Sequence, residues 1–586
     1  MPGTRTTRRS WSTSSASAWI PSARTIPTVC APSWTPAASG GSAEGVRAGI
    51  VGDAGLKTTR PGRLTSPLAC APAPNGVESP RPSVRFRPEE RLPVPTLLGI
   101  DIGTSAAKAV LIDPEGTVLG VSGCEYPIEQ PLPGWAEQDP EAWWQAACAA
   151  VRGALVAGAD EVAAIGLSGQ MHGTVLVSPA GQPVRPAIIW ADQRSQAQVE
   201  RATRQLGLRR LGRLAGNRLA VGFTAASLLW LLENEPEALA ASDKVILPKD
   251  YIRLRLTGQV ATEVSDASAT LLFDVARRRW SRELVTAWKV PHWLLPEALE
   301  STAVAGELTR EAAAELGLRA GIPVVAGAAD QACQAVGSGL IDPGLASCTI
   351  GTGGQLLTAL TAPTPDPELR LHTFCHAIPG RWYSMGAILS AGLSLSWFRE
   401  HFAPGASFEE LAAEAAGIPA GCEGLLFLPY LAGERTPHFD PEARGAFVGL
   451  TLRHGRAHAV RAIMEGVCFA LRDALEAMRE FGPGPAQIVA AGGGGTSHPW
   501  QEILAAVLGL PVTVALGPER TAVGAAVLAG LGTGLYRDPV EARARTVRYA
   551  PPVEPRPDDM ARYQELYHAY RGLYPALKGS FHALDL

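Results

Sequence analysis

Asp330 is the one acid in VVAGAADQACQAVGSG, residues 324–339. The run before it, GIPVVAGAA, reads as a short buried strand, and the Ala/Gly spacing after it suits a tightly packed helix. A carboxylate at such a junction either caps the helix or takes a proton from a group brought up to it. A second kind of chemistry lies in the glycine turns. TLLGIDIGTSAAKAVLID begins at Thr96 and holds Gly103, Thr104 and Ser105, with Asp101 just before them. LASCTIGTGGQLLTAL begins at Leu345 and holds Gly351, Thr352 and Gly353. Glycine lets the backbone bring several N–H groups to one point, and Thr and Ser add hydroxyl donors, so each turn is suited to an anion. Two of them facing each other would grip the phosphates of a nucleotide from both sides.

A third glycine cluster narrows the ligand. PAQIVAAGGGGTSHPWQEILAAVLGL reads as a strand, four glycines at 492–495, and a helix opened by Ser497 and Pro499. Bare backbone there admits a flat ligand such as a purine with its ribose, at Gly493, Gly494 and the neighbouring His498. GGGGTS lacks the GxGxxG spacing of a dinucleotide site, and no GxxxxGK[ST] occurs, which excludes a P-loop.

The elements that must position these groups follow from the patterning. Each Gly-Thr turn sits between two apolar runs and reads as a hairpin, so IDIGTS and CTIGTGG form a weak internal repeat. With 586 residues the chain is too long for one ordinary core, and two or more domains are expected. A net charge of −4 gives no general attraction to nucleic acid or anionic membrane. The nine cysteines are scattered and form no CxxC pair, which argues against a disulfide framework or a zinc site and fits a reducing, cytoplasmic setting. No apolar run reaches the roughly 18 residues needed to span a bilayer. Residues 1–95 are rich in Ser, Thr, Pro and Arg without a sustained period, and read as disordered. A targeting segment, a basic nucleic-acid-binding arm and a stretch upstream of a misplaced start compete to explain them. The last, or an inert tail, is favoured, because the segment is long, broken by proline and lacks an amphipathic helix.

With those stretches in place, GIDIGTSAAKAVLID, PGWAEQDPEAWW, IGLSGQMHG, IIWADQR, LPKDYIRLRLTG, VVAGAADQACQAVG, IGTGG, FLPYLAGERTPHFDPEARGAFVGLT and AGGGGTS occur in family order. From about Thr96 to about residue 550 the chain resembles the FGGY family of carbohydrate kinases. GQMHG gives it most likeness to the members that phosphorylate D-xylulose. The resemblance implies an α/β protein of the two-domain actin/Hsp70-like (ribonuclease H-like) ATPase fold with an interdomain cleft. It places the N-terminal domain at 96–337, an adenosine-binding domain at 338–550 and a helical tail at 551–586. It implies ATP and Mg²⁺, a small-molecule sugar, no nucleic acid, no membrane, and a monomer or homodimer.

Carried over residue by residue, Asp330 is the expected base and Asp101 the expected partner of Mg²⁺, directly or through water. Met171 and His172 match the substrate pair, and Gln331 keeps the amide beside the base where some members have Asn. Trp190 and Asp192 are expected on the substrate pocket. Gly353 replaces the commoner Ser, which removes a hydroxyl from the second phosphate turn. Trp135, Trp143 and Trp144 read as packing, and Lys108 as a strand-end charge. A kinase for another ketose or polyol such as L-ribulose is the main alternative. A nucleotide-driven switch would have the same turns without a sugar pocket, and a DNA-gripping sugar sensor would need a helix-turn-helix that residues 1–95 lack.

Overall fold

The computed structural model describes residues 94–156 and 161–584. The expected disorder over residues 1–95, and the choice among explanations for that segment, lie outside the described residues up to residue 93, while Pro95 already opens the first strand.

Both Gly-Thr hairpins form, and each nucleates a sheet. In the first, β1 (Pro95–Ile102) and β2 (Ala106–Ile112) pair antiparallel, followed by β3 (Val118–Glu125). β4 (Glu161–Gly169) lies parallel to β1 on the other side. β5 (Val304–Glu307), β6 (Pro323–Val325) and β7 (Ala328–Ala329) complete a sheet of order β5-β6-β4-β1-β2-β3, with β7 paired to β4. The second sheet repeats the device. β8 (Leu345–Ile350) and β9 (Gly354–Leu360) form its hairpin. β10 (His372–Cys375), β11 (Trp382–Ile388), β12 (Gln487–Ala491) and β13 (Val512–Val514) give the order β10-β11-β9-β8-β12-β13. β12 lies parallel to β8 as β4 does to β1. β1 from Leu97 onward is almost wholly buried, as expected of a central strand covered on both faces.

Six helices matter for the site: α1 (Pro248–Thr257), α2 (Val264–Ala269), α3 (Asp330–Gly337), α4 (Arg456–Arg479), α5 (His498–Leu508) and α6 (Arg520–Gly532). α4 and α5 cover the second sheet, and the long C-terminal helix Pro557–Phe581 packs its tyrosines into the same core. The four glycines at 492–495 wind into a helical turn before α5, and Ser497 occupies the N-cap position of α5 without a capping bond from its side chain.

α6 belongs by sequence to the second domain, yet it shares one buried cluster with α3, with Leu97, Val110 and Ala164 of the first sheet, and with Leu357 and Val489 of the second. Glycine makes that packing feasible. A Cβ on Gly99 would lie 1.9 Å from the Ala522 carbonyl oxygen, and one on Gly337 would lie 1.9 Å from that of Arg520. Backbones this close cannot accept a methyl group without moving apart. Gly337→Ala is therefore expected to destabilise the fold by about 3 kcal/mol, the upper end of ordinary overpacking. It should also lower turnover, because α3 begins at Asp330. A chemical-denaturation midpoint equal to that of the wild type contradicts this packing.

Candidate functional site

The site begins with how the two turns treat their backbone polar groups. In the first, the Tyr126 hydroxyl donates to the Gly103 carbonyl, Gln138 Nε2 to the Thr104 carbonyl at 2.7 Å, and the Tyr126 amide to the Ser105 carbonyl at 3.1 Å. In the second, the Gly392 amide donates to the Gly351 carbonyl at 2.7 Å, and the Ala391 and Leu393 amides donate to that of Thr352. The Gly353 carbonyl accepts from the Gly351 amide at 3.0 Å. All six carbonyls are thus tied back into the protein, while the amides of Thr104, Ser105, Thr352 and Gly353 have no partner among the described residues. That is the arrangement an anion needs. The glycine at 353 also has a reason: an added Cβ would stand 2.9 Å from the Ile388 carbonyl oxygen.

Beside the second turn a cavity of about 410 Å³ is lined by Ile350, Gly351, Thr352, Gly493, Gly494 and Trp500. A Cβ at Gly494 would strike Ile350 and Trp500, so bare backbone is required there. Thr496, and Ser497, expected only as the opening of the helix, join this wall. Gly353 and His498, both expected to bind nucleotide, do not line it, and His498 is exposed at the start of α5.

At the end of β1, Asp101 is 8% exposed and its Oδ1 has no hydrogen-bond partner. Burial raises its carboxyl to about 6, against the pull of the Ser168 hydroxyl and Lys108. Lys108 is more than a strand-end charge: it pairs with Glu519 at 2.9 Å, joining the first hairpin to the residue before α6. Among the described residues no cluster of three or more ligating side chains could cage a metal. A buried carboxylate with an unused oxygen next to a phosphate turn fits an ion that keeps several waters, as Mg²⁺ does.

Asp330 opens α3. The N-cap position falls to Ala329, and Asp330 Oδ1 instead accepts the Gln331 amide at 2.6 Å. Burial first, and then the neighbouring charge of Asp101, raise the Asp330 carboxyl to about 7. An ordinary carboxylate near pH 4 is a poor base, and this environment moves it to where a base works best. The group must be ionised to accept a proton. Sugar-dependent kcat/KM is therefore expected to rise through pH 7 and to fall about tenfold per unit on the acid side. A pH profile flat down to pH 5 contradicts the assignment.

The GQMHG loop is joined to the first turn. The Gln170 amide donates to the Ile102 carbonyl at 2.8 Å, and Gln170 Nε2 donates to Gln138 Oε1 at 2.8 Å, the same Gln138 that holds Thr104. His172 has a left-handed φ of 68°, a conformation a non-glycine residue adopts at a cost. Its ring stacks on Phe223 at 3.9 Å, and Nδ1 lies 2.9 Å from the Ala269 carbonyl oxygen. Burial, opposed by that carbonyl and aided by Arg435, lowers the imidazole to about 4. The ring is neutral near pH 7, and since a carbonyl only accepts, Nδ1 carries the hydrogen and Nε2 is left to accept one. Met171 is buried in the core shared by the two sheets.

Close to His172, whose ring centroid lies 6.4 Å from that of Phe374, stands a wall that sequence reasoning missed. His372 stacks on Phe374 at 5.7 Å and meets Phe439 edge-on. Asn217 ties this wall to the first domain by donating to the Thr373 carbonyl at 2.8 Å and accepting the Thr373 amide at 3.1 Å. Arg435 bears on both histidines and, among the described residues, its guanidinium makes no hydrogen bond or ion pair. GERTPHF was visible as a stretch, but which way its arginine faces is a tertiary fact.

Two expectations separate. Trp190 is 46% exposed and donates to Thr104 Oγ1 at 2.9 Å, so it stands at the first turn. Asp192 is 1% exposed and fully engaged: it accepts the Ala136 amide at 2.7 Å and pairs with Arg194 at 2.8 Å. It braces the loop and has nothing left for a ligand. Trp143 and Trp144 are packing, as expected, and Trp135 lies under the Arg194 guanidinium.

Comparison with known proteins bears on this geometry. Residues 96–337 match the N-terminal domain of the FGGY family of carbohydrate kinases and residues 346–533 match its C-terminal domain. The chain is 37% identical over 485 residues to a xylulose kinase of Bacillus subtilis, covering 82% of this chain and 97% of that protein. A xylulose kinase of Escherichia coli is 37% identical over 487 residues, covering 82% and 99%. The crystal structure of xylulose kinase from Rhodospirillum rubrum superposes with a TM-score of 0.78 at 32% identity, covering 83% of this chain and all of that one.

Proposed function

This chain belongs to the FGGY family of carbohydrate kinases and is an ATP-dependent sugar kinase, and we propose that it phosphorylates D-xylulose, with Asp330 taking the hydroxyl proton. The observation that carries the role of Asp330 is its place at the start of α3, directly after β7, where burial and the neighbouring Asp101 push its carboxyl up to about 7. The xylulose kinases among the relatives, with GQMHG in this chain, support the sugar.

In this reading the amides of Thr104, Ser105, Thr352 and Gly353 hold the ATP phosphates, and the cavity beside Gly493 and Gly494 takes the adenosine. Asp101 holds Mg²⁺, whose charge, when bound, offsets that of the transferring phosphoryl group. The sugar lies between His172 and the wall of His372 and Arg435. His172 Nε2 accepts from a sugar hydroxyl, Gln331 offers its amide, and the Arg435 guanidinium donates to sugar oxygens at the end away from the reacting hydroxyl. Asp330 orients that hydroxyl towards the γ-phosphate and receives its proton as the new O–P bond forms and the bond from the γ-phosphorus to the bridging oxygen breaks, releasing ADP, a step in which positioning and charge stabilisation do most of the catalysis.

The test is to identify the product. Purified protein with ATP, Mg²⁺ and D-xylulose should give ADP and an equal amount of a C5 phosphate monoester, seen by phosphorus NMR. ADP release without sugar, and no sugar phosphate, would point to a nucleotide-driven switch and against this proposal.

A further inference from the structure

LPKDYIRLRLTG (247–258) and TEVSD (262–266) together supply a cluster of charges that the reaction does not use. Lys249, Asp250, Arg253, Glu263 and Asp266 are all fully buried. Lys249 Nζ lies 2.8 Å from Asp250, 2.9 Å from Asp266 and 3.3 Å from Glu263, and Arg253 pairs with Asp250 at 2.9 Å. Buried ion pairs give little net stability over apolar packing, so their use here is sought in what they hold in place.

They hold α2, a helix of six residues. Glu263 caps it, accepting the Ser265 and Asp266 amides at 2.8 Å each, and also takes the Ser265 hydroxyl at 2.8 Å and that of Ser301 at 2.6 Å. From this fixed helix, contacts run to three parts of the site. Ser265 Oγ accepts the Ala329 amide at 2.9 Å, immediately before Asp330. The Ala269 carbonyl lies 2.9 Å from His172 Nδ1. Ser268 Oγ accepts the Cys375 amide at 3.1 Å, at the end of the strand that carries His372 and Phe374. The cluster adds two contacts of its own: Arg253 donates to the Ala326 carbonyl at 3.0 Å, and Lys249 packs against Gly169, where a Cβ would lie 2.9 Å from its own.

We propose that α2 and the buried ionic cluster around it form the positioning device of the site, setting Asp330, His172 and the second-domain wall in register, with Ser265 as the positioning residue for the base. The inference rests on the reading of Asp330 and His172 given above. Ser265 is fully buried, with its hydroxyl shared between Glu263 and the Ala329 amide, so its loss should act on turnover through Asp330. A displacement of about 1 Å in a reacting group costs on the order of 100-fold in rate.

Ser265→Ala is the test. The expected result is a fall in kcat of about 10-fold or more, with the KM for D-xylulose and the affinity for ATP within about threefold of wild type. The acid limb of the pH profile should move, because the Asp330 carboxyl sits in a changed setting, and Ser265→Thr should restore part of the rate. If kcat per folded molecule and the pH limb stay at wild-type values, the device is only structural and the inference falls, whatever happens to the melting temperature. Should Ser265→Ala not fold, Ser265→Cys, which keeps a weaker hydrogen-bonding group, is judged by the same readouts. Asp330→Ala run alongside separates the failures. Retained turnover there overturns the base and this inference with it, whereas an inactive Asp330→Ala beside a normal Ser265→Ala overturns only the positioning role.

Discussion

Asp330→Ala lowers turnover with D-xylulose by about 100-fold or more and leaves ATP affinity nearly unchanged. The size follows from losing a group that both orients the hydroxyl and accepts its proton, which is worth about 2.7 kcal/mol or more of transition-state stabilisation. ATP affinity is spared because the unpartnered amides suited to its phosphates belong to the two Gly-Thr turns. The variant also removes one of two neighbouring carboxylates. Asp101 loses the charge beside it, so a rate loss with preserved nucleotide binding isolates the base from any change at the metal. Steady-state kinetics with a separate nucleotide titration checks both halves. Near-normal turnover in a folded variant would mean that another group takes the proton.

Glycerol is expected to be a poor substrate, with kcat/KM roughly a thousandfold or more below that of D-xylulose. A site built to hydrogen-bond a chain of hydroxyls leaves buried groups unpaired when those hydroxyls are missing, and each such group carries a desolvation penalty. In the proposed site His172, Gln331 and Arg435 are the groups at stake. L-Ribulose keeps all the hydroxyls and differs only in their arrangement, so it should fall between the two. His172→Ala should narrow the spread by about tenfold, since Nε2 then no longer reads a hydroxyl. Equal efficiency with glycerol and D-xylulose would contradict the sugar pocket described here.

The local devices were legible because short-range chemistry dictates them. Both Gly-Thr hairpins form where apolar runs flank a turn that only glycine and small polar residues permit, and the strand-to-helix junction at Asp330 follows from the change of period. What escaped the sequence was set by distant partners. Asp192 looks like a pocket acid in IIWADQR, but Arg194 and the Ala136 amide consume it. Asp330 reads as an ordinary carboxylate until burial and Asp101 raise it. α6 sits in the second half of the chain and yet closes on β1 and β4, because Gly99 and Gly166 leave room for its backbone. LPKDYIRLRLTG carried the family likeness without showing its use, since Arg253 reaches the Ala326 carbonyl and Lys249 reaches Asp266 only once the chain is folded.

The most direct measurement of the central claim is sugar-dependent ADP release, with kcat/KM compared for D-xylulose, L-ribulose, other open-chain ketoses and glycerol under one condition. D-Xylulose is expected to give the highest value, and release without sugar should be a small fraction of it. Another sugar or polyol exceeding D-xylulose by tenfold, about 1.4 kcal/mol of transition-state preference, would contradict the assignment of the substrate.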